Sequence, residues 1–263
     1  MAQRDRQPRQ PGGPLRHAGG GLAVALWLSA CAAGPPGPGT STVYDPIEPV
    51  NRAVFEFNRV VDGLLIKPIA QLYGLVVPSP IRTGVRNFLA NLRSPIIFAN
   101  DLLQGETERA GTTLGRFMIN TTIGLGGVLD PATALGRERH DEDLGQTLAV
   151  WGVGDGPYLV LPILGPSNLR DFAGRLGDRF ANPVTYLDDD TYWIAQAGGE
   201  GVQARYDTLD LLDDLERNSL DFYAAVRAIY AQRRAADIRN GALGTDDRSY
   251  DEIFRDDETA PAP

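Results

Sequence analysis

The chain has 263 residues, enough for one or two domains with a sizeable core, and its 43% apolar and 22% charged residues are ordinary for a folded protein. A formal net charge of -9 argues against nucleic acid as the partner, because phosphate backbones are bound by clustered positive charge. The chain has one cysteine, Cys31, and two histidines, of which His17 lies in the first thirty residues, so beyond them His140 stands alone and falls short of the three or four ligands of a His/Cys zinc centre.

The first thirty residues read as a targeting segment. Arg4, Arg6, Arg9 and Arg16 form a positive n-region, followed by the apolar stretch Leu22 to Leu28. That stretch is too short to cross a bilayer, which takes ~20 apolar residues, and fits the h-region of a signal peptide. It ends in Leu28-Ser29-Ala30-Cys31, which resembles the bacterial lipobox, where cleavage precedes an acylated cysteine. Residues 1–30 are expected to be the lipoprotein signal peptide, and an N-acyl diglyceride is expected on Cys31. Two or more acyl chains hold a membrane stably where one does not. Cleavage removes four Arg and one Asp, so the mature chain would carry a net charge of -12. Ala32, rather than Asp, after the cysteine favours the outer membrane by analogy with enterobacteria. Residues 31–43, rich in Pro, Gly, Ser and Thr, read as the acylated cysteine and a flexible tether. The folded region is expected over 44–240, and 241–263 as an acidic disordered tail.

Within the folded region the spacing is mostly helical. Glu48 to Leu65 carries Val50, Val54, Phe57, Val61 and Leu65 on one face. Ser79-Pro80 predicts a cap and helix start, and Ser94-Pro95 a second start. A further helix is predicted over Glu106 to Asn120, then the apolar glycine-rich segments 123–136 and 151–166. Tyr158 to Leu161 reads as a short strand. Ser167 is expected to cap a helix bearing Leu169, Phe172 and Leu176. Val202 to Leu212 marks another, and Ser219 is expected to cap a last helix with Phe222, Val226, Ile229 and Tyr230 inside. Segments 64–78, 94–103 and 157–164 are too apolar for one-faced surface helices, yet none reaches ~18 uninterrupted apolar residues. They fit either a buried core or helices lying in a bilayer interface.

Catalytic motifs are scarce. There is no Gly-x-Ser-x-Gly elbow. His140 would have to serve any serine triad, and it sits in the charged, turn-like GRERHDED, a poor place for a buried base. Asp188-Asp189-Asp190 fits a divalent cation or an acidic solvated turn. Gly152, Gly154 and Gly156 are followed by Pro157 and a β-like run rather than by the helix N-terminus a nucleotide fingerprint needs. Together with Gly124, Gly126 and Gly127, they suit either plain turns or mobile loops beside a lipid path.

Several stretches in order resemble the MlaA (VacJ) lipoproteins: 45–58 (DPIEPVNRAVFEFN), 82–105 (RTGVRNFLANLRSPIIFANDLLQG), 115–131 (GRFMINTTIGLGGVLDP) and 141–171 (DEDLGQTLAVWGVGDGPYLVLPILGPSNLRD). The resemblance covers about 44–195. Leu144 stands where Phe is expected, and Asp155 where Pro or Tyr is usual. The resemblance implies a mainly α fold, a ring-like arrangement of short amphipathic helices lying in a membrane leaflet, with glycine-rich loops and a short β-like hairpin. It implies an amphipathic channel in the inner leaflet of the outer membrane that removes mislocalised phospholipids from the outer leaflet. Its implied partners are phospholipids, an outer-membrane porin trimer, a periplasmic MlaC-like carrier and, indirectly, an inner-membrane ATP-driven transporter. No cofactor, metal or catalytic residue is implied, and the chain is expected not to be an enzyme. Asn51, Phe55, Phe57 and Asn58 lie in the first signature and are channel candidates, although the aromatics suit core packing as well. Arg116 and Asn120, one helical turn apart, are candidates for presenting polar groups to a headgroup, or for a structural salt bridge or cap. Gly152, Gly154 and Gly156 are candidates for a gating loop. A structural lipoprotein scaffolding a porin or the envelope is the alternative function, and a lipid-anchored hydrolase the third.

Overall fold

The computed structural model describes residues 43–186 and 190–240. The expectations for 1–30, Cys31, the tether up to residue 42, the tail 241–263, and Asp188 and Asp189 lie outside the described residues. The described part is mainly helical with one small hairpin. Helix α1 (Glu48–Val61) runs through a π-helical turn (Asp62–Ile66) into α2 (Lys67–Val76). Long α3 (Ser79–Gln104) packs against α4 (Thr107–Thr122). Short α5 (Pro131–Ala134) and α6 (Leu144–Val150) lead to strands β1 (Tyr158–Leu161) and β2 (Gly165–Asn168). Helix α7 (Leu169–Ala181) packs on α6. Helices α8 (Asp190–Asp207), α9 (Leu209–Asn218) and α10 (Phe222–Ile238) complete the chain order.

Several boundaries differ from the sequence reading. No helix begins at Ser94-Pro95, because Pro95 lies inside α3. An internal proline removes one backbone bond and costs about 3 kcal/mol, but buried Leu89, Ile96 and Ile97 on both sides anchor the helix through it. The helix predicted across Val202–Leu212 breaks at Thr208, whose hydroxyl donates to Ala204 O at 2.9 Å and competes with the helical pattern. Ser167 is in β2, and Asn168 caps α7 by accepting from Asp171 N at 2.7 Å. Ser219 follows the end of α9, its hydroxyl donating to Leu215 O, while Asp221 caps α10 by accepting from Ala224 N. In the first long segment the α-helix stops at Val61, and the Lys67 amide donates five residues back to Asp62 O.

The apolar core is small. Phe55, Tyr158, Val160 and Tyr223 form its centre, with Phe55 edge-on to Phe222 at 5.3 Å and to Tyr223 at 5.4 Å. The hairpin sits in this cluster because α1 holds it by side-chain amides. Asn51 donates to Tyr158 O (2.9 Å) and accepts from Val160 N (2.9 Å). Two turns further, Asn58 donates to Leu161 O (2.9 Å) and accepts from Ile163 N (2.7 Å). Buried Asp45 accepts from Asn51, Tyr223 and Arg227, fixing the start of α1 to α10.

Asn51→Leu leaves a buried carbonyl and amide unpaired. The substitution is expected to destabilise the fold by about 2–4 kcal/mol, read as a lowered unfolding midpoint in detergent solution. A midpoint equal to wild type would show that the bracket contributes nothing.

Candidate functional site

The distribution of side chains is reversed relative to a protein dissolved in water. Among the described residues, seventeen polar or charged side chains are buried against ten apolar ones, so the interior cannot be held by apolar burial alone. The outward faces carry the apolar residues instead. On the π-turn and α2 these are Leu64, Leu65, Ile69, Leu72, Leu75 (84% exposed) and Val76. Segment 64–78 is therefore not core, apart from buried Ala70. The other two apolar segments divide: Ile96, Ile97, Tyr158 and Val160 are buried, whereas Leu102, Leu103, Ile163 and Leu164 are exposed. Leu169, Leu176 and Phe180 of α7 also face outward, as does Ile229 of α10, which the sequence placed inside. No helix among the described residues is long and apolar enough to cross a membrane.

Helix α4 shows the inversion most plainly. Ala110, Thr113, Arg116 and Asn120 are buried on one face, while Leu114 and Met118 are exposed on the other. The polar face meets Asn91 and Ser94 of α3 across a cavity of about 50 Å³, completed by Asp130, Arg139 and His140. That volume takes a few waters but no acyl chain. The sequence candidates Arg116 and Asn120 thus come together at one polar cavity. Both converge on Asp130: Arg116 Nη2 donates at 2.8 Å and Asn120 Nδ2 at 2.9 Å, and Thr133 Oγ1 adds a third bond at 2.7 Å. Burial opposes ionisation of Asp130, but the bonds from Thr133, Arg116 and Asn120 outweigh it and hold its carboxyl at about 2.

Two loops carry strained backbone and exposed apolar tips. After α4, Leu125 adopts φ 54° and Gly127 φ 96°, and a Cβ on Gly127 would meet Asn91 Cβ at 2.5 Å. At the hairpin tip the branched residue Ile163 adopts φ 66°, held there by the Asn58 bracket. Leu125 and Ile163 are 70% and 65% exposed, so the strained backbone presents apolar side chains outward. Between α6 and β1, Gly152 and Gly156 also have positive φ, and Gly154 lies in open space. This loop exposes Trp151 and Val153 and is pinned at both ends, by Trp151 Nε1 donating to Leu103 O and by Arg170 pairing with Asp155.

The remaining candidates lie apart from the polar cavity. Asn51, Phe55 and Asn58 dock the hairpin, with Phe55 in the aromatic core, whereas Phe57 is half exposed on the opposite face of α1. His140 corrects the sequence reading: it is largely buried, because Gly136 turns its segment back against α3 and α4. Its Nε2 lies 3.0 Å from fully buried Asp101 and 3.2 Å from Thr113 Oγ1, which itself donates to Asp101 at 2.7 Å. One ring nitrogen thus faces both the carboxylate and the hydroxyl, whereas a relay triad uses the two nitrogens separately. Among the described residues no His, Cys, Asp and Glu group is arranged to hold a metal ion. Sequence reasoning missed Asp101, Asp130 and Asn91, which have no motif spacing and become partners only through the α3–α4 packing.

Residues 43–237 match the family described as MlaA lipoprotein. The intermembrane phospholipid transport system lipoprotein MlaA of Escherichia coli is 33% identical over 243 residues, 90% of this chain and 94% of that protein. Its Haemophilus influenzae counterpart is 32% identical over 84% of this chain and 90% of its own length. An uncharacterised protein of Rickettsia bellii is 36% identical over 76% of this chain and 79% of its own. A solved structure described as the structural basis for maintenance of bacterial outer membrane lipid asymmetry superposes with a TM-score of 0.68 at 36% identity, covering 74% of this chain and 98% of that one.

Two outcomes test the cavity. Because the folded pKa of Asp130 is depressed, its ionised form stabilises the fold above the unfolded value of ~3.9, and that contribution is lost as pH falls through about 2. Asp130→Asn is expected to cost about 1–3 kcal/mol at pH 7, and the gap from wild type should close at pH 2; a gap that does not change with pH would refute the assignment. Gly127→Ala should lower the thermal midpoint, whereas Gly154→Ala, with no strained φ and no close neighbour, should leave it unchanged.

Proposed function

Since this chain belongs to the MlaA lipoprotein family, we propose that it is an outer-membrane lipoprotein of a phospholipid transport system. In this reading it is a passive conduit that removes mislocalised phospholipids from the outer leaflet and passes them inward, preserving lipid asymmetry. The observation that carries the reading is the reversed distribution of side chains. An apolar exterior is favourable against acyl chains, and a polar interior suits a headgroup whose passage through bare hydrocarbon would be costly. The outward-facing residues of the π-turn, α2 and α7 and the tips at Leu125 and Ile163 lie in the inner leaflet. No described helix needs to cross for that, because an interfacial helix buries only its apolar face. Acylated Cys31 supplies the anchor, and the family relationship supports the outer membrane as its location.

The candidate residues take distinct roles. Arg116 and Asn120, with Asp130, line the polar interior on the headgroup side. Asn51, Phe55 and Asn58 fix the hairpin and so the glycine loop ahead of it, and Phe57 contributes to the apolar exterior. Gly152 and Gly156 give that loop the backbone freedom a gate requires, with Gly154 between them. Direction comes from a periplasmic MlaC-like carrier and an inner-membrane ATP-driven transporter, with a porin trimer as neighbour in the membrane. No chemical step is assigned to the chain, consistent with the shared Nε2 of His140.

Cells lacking this protein should accumulate phospholipid in the outer leaflet, and the wild-type chain should restore the normal level, read by surface labelling. An unchanged outer leaflet together with a misassembled porin would replace the conduit with a scaffold. Leu72→Glu with Leu75→Glu should fail to restore the level, because two charges then face hydrocarbon; full restoration would contradict placing α2 against lipid.

A further inference from the structure

A second and larger recess lies beside the inner cavity, with a volume of about 570 Å³. It is walled by Arg109 and Thr112 of α4, by the segment Gly136 to His140, and by Asn240 beyond α10. The two cavities share Arg139 and His140, which therefore form the partition between them. The inner cavity admits a few waters, whereas the outer one falls within the ~300–1,000 Å³ of small-ligand sites.

Cations dominate the recess: Arg109, Arg137 and Arg139 stand against one lining carboxylate, Glu138. They are unequally engaged. Arg109 Nη2 is tied to Glu142 at 2.6 Å, and Arg139 approaches Asp141 only at 3.4 Å. Arg137 has no ion-pair partner among the described residues; its guanidinium lies close to Gly115, where a Cβ would come within 2.7 Å of Nη1. One buried polar atom also lacks a partner: Asn91 Oδ1, an acceptor at the inner cavity on a residue only 6% exposed. Arg109 Nε makes no hydrogen bond and has Asp101 Oδ1 3.9 Å away. A planar guanidinium offers two parallel donors that match the oxygens of a phosphate group, and here the guanidinium groups surround a cavity of headgroup size.

We propose that the recess walled by Arg109, Arg137 and Arg139 is a binding site for a phosphate group, with Arg137 and Arg139 as its principal donors. The proposal rests on the conduit reading for its source, which makes the phosphate that of a phospholipid head. A phosphate held there lies against the Arg139–His140 partition, one wall away from the polar interior.

The test titrates the full-length protein in nanodiscs of phosphate-free glycolipid with three soluble probes: glycerophosphoglycerol, inorganic phosphate and glycerol. Binding is read by calorimetry. Glycerophosphoglycerol should bind and glycerol should not. Arg137→Gln and Arg139→Gln should each weaken binding roughly tenfold, the order of one charge-assisted hydrogen bond, and Arg139→Lys should recover part of the loss. Both arginines are exposed, and an unchanged thermal midpoint shows that the variants fold. Equal or tighter binding of inorganic phosphate overturns the lipid source. Binding that is absent, or indifferent to both variants, overturns the site. Surface phospholipid in cells carrying each variant separates the two readings: restoration equal to wild type, together with absent binding, removes the site and leaves the conduit standing.

Discussion

A polar interior must pair the charges it buries, and Asp171 is where one such network meets. Its carboxylate accepts from Arg170 Nε at 3.0 Å, Arg234 Nη2 at 3.0 Å, Asn168 Nδ2 at 3.0 Å and the hydroxyl of Tyr230. Arg234 reaches on to Asp143 at 2.6 Å, the residue that caps α6. Burial, with Asp171 accepting, pushes the Tyr230 hydroxyl well above its usual range and keeps it a donor. Helices α6, α7 and α10 are thereby joined by charge as well as by close packing, as where a Cβ on Gly174 of α7 would meet Gly145 N of α6 at 2.3 Å. Such pairs add little net stability beyond an apolar replacement, but removing one partner strands the other at a cost of about 3–5 kcal/mol. Geometry set this way persists when the outer surface is solvated by acyl chains, because it does not depend on water driving apolar groups together.

The same logic explains the glycine-rich loops. Leu125 and Ile163 hold left-handed backbone that an apolar L residue avoids in isolation. Neighbouring amide groups sustain it: Gly127 N donates to Asn120 O at 2.8 Å, and Ile163 N donates to Asn58. The strain turns large apolar side chains away from a polar interior that has no place for them.

Much of the helical order was legible from spacing, and β1 was legible from the run Tyr158 to Leu161. Local signals misled where a neighbour one or two residues along served better: Asn168 rather than Ser167, Asp221 rather than Ser219. Pro95 misled because packing along α3 overrides an intrinsic breaker. The site was harder to read. Arg116 and Asn120 were placed together by helical periodicity, but their common partner Asp130 and the facing Asn91 are set by tertiary packing alone. His140 looked solvated within a charged run because Asp101, its partner, is 39 residues earlier in the chain. The signature around Asn51 and Asn58 was recognisable as a pattern, yet its physical task depends on backbone atoms more than a hundred residues away.

Those two asparagines have a consequence for assembly. In a two-stranded sheet each strand has a free edge, a row of amides and carbonyls open to any extended chain that approaches. Here β2 covers one side of β1, and the other side is taken by the amides of Asn51 and Asn58, with Tyr158 N donating to Tyr44 O. A side chain accepts no further strand, so the hairpin is sealed against growth from that flank. A chain with this much exposed apolar surface is spared strand addition at β1 as a route to aggregation.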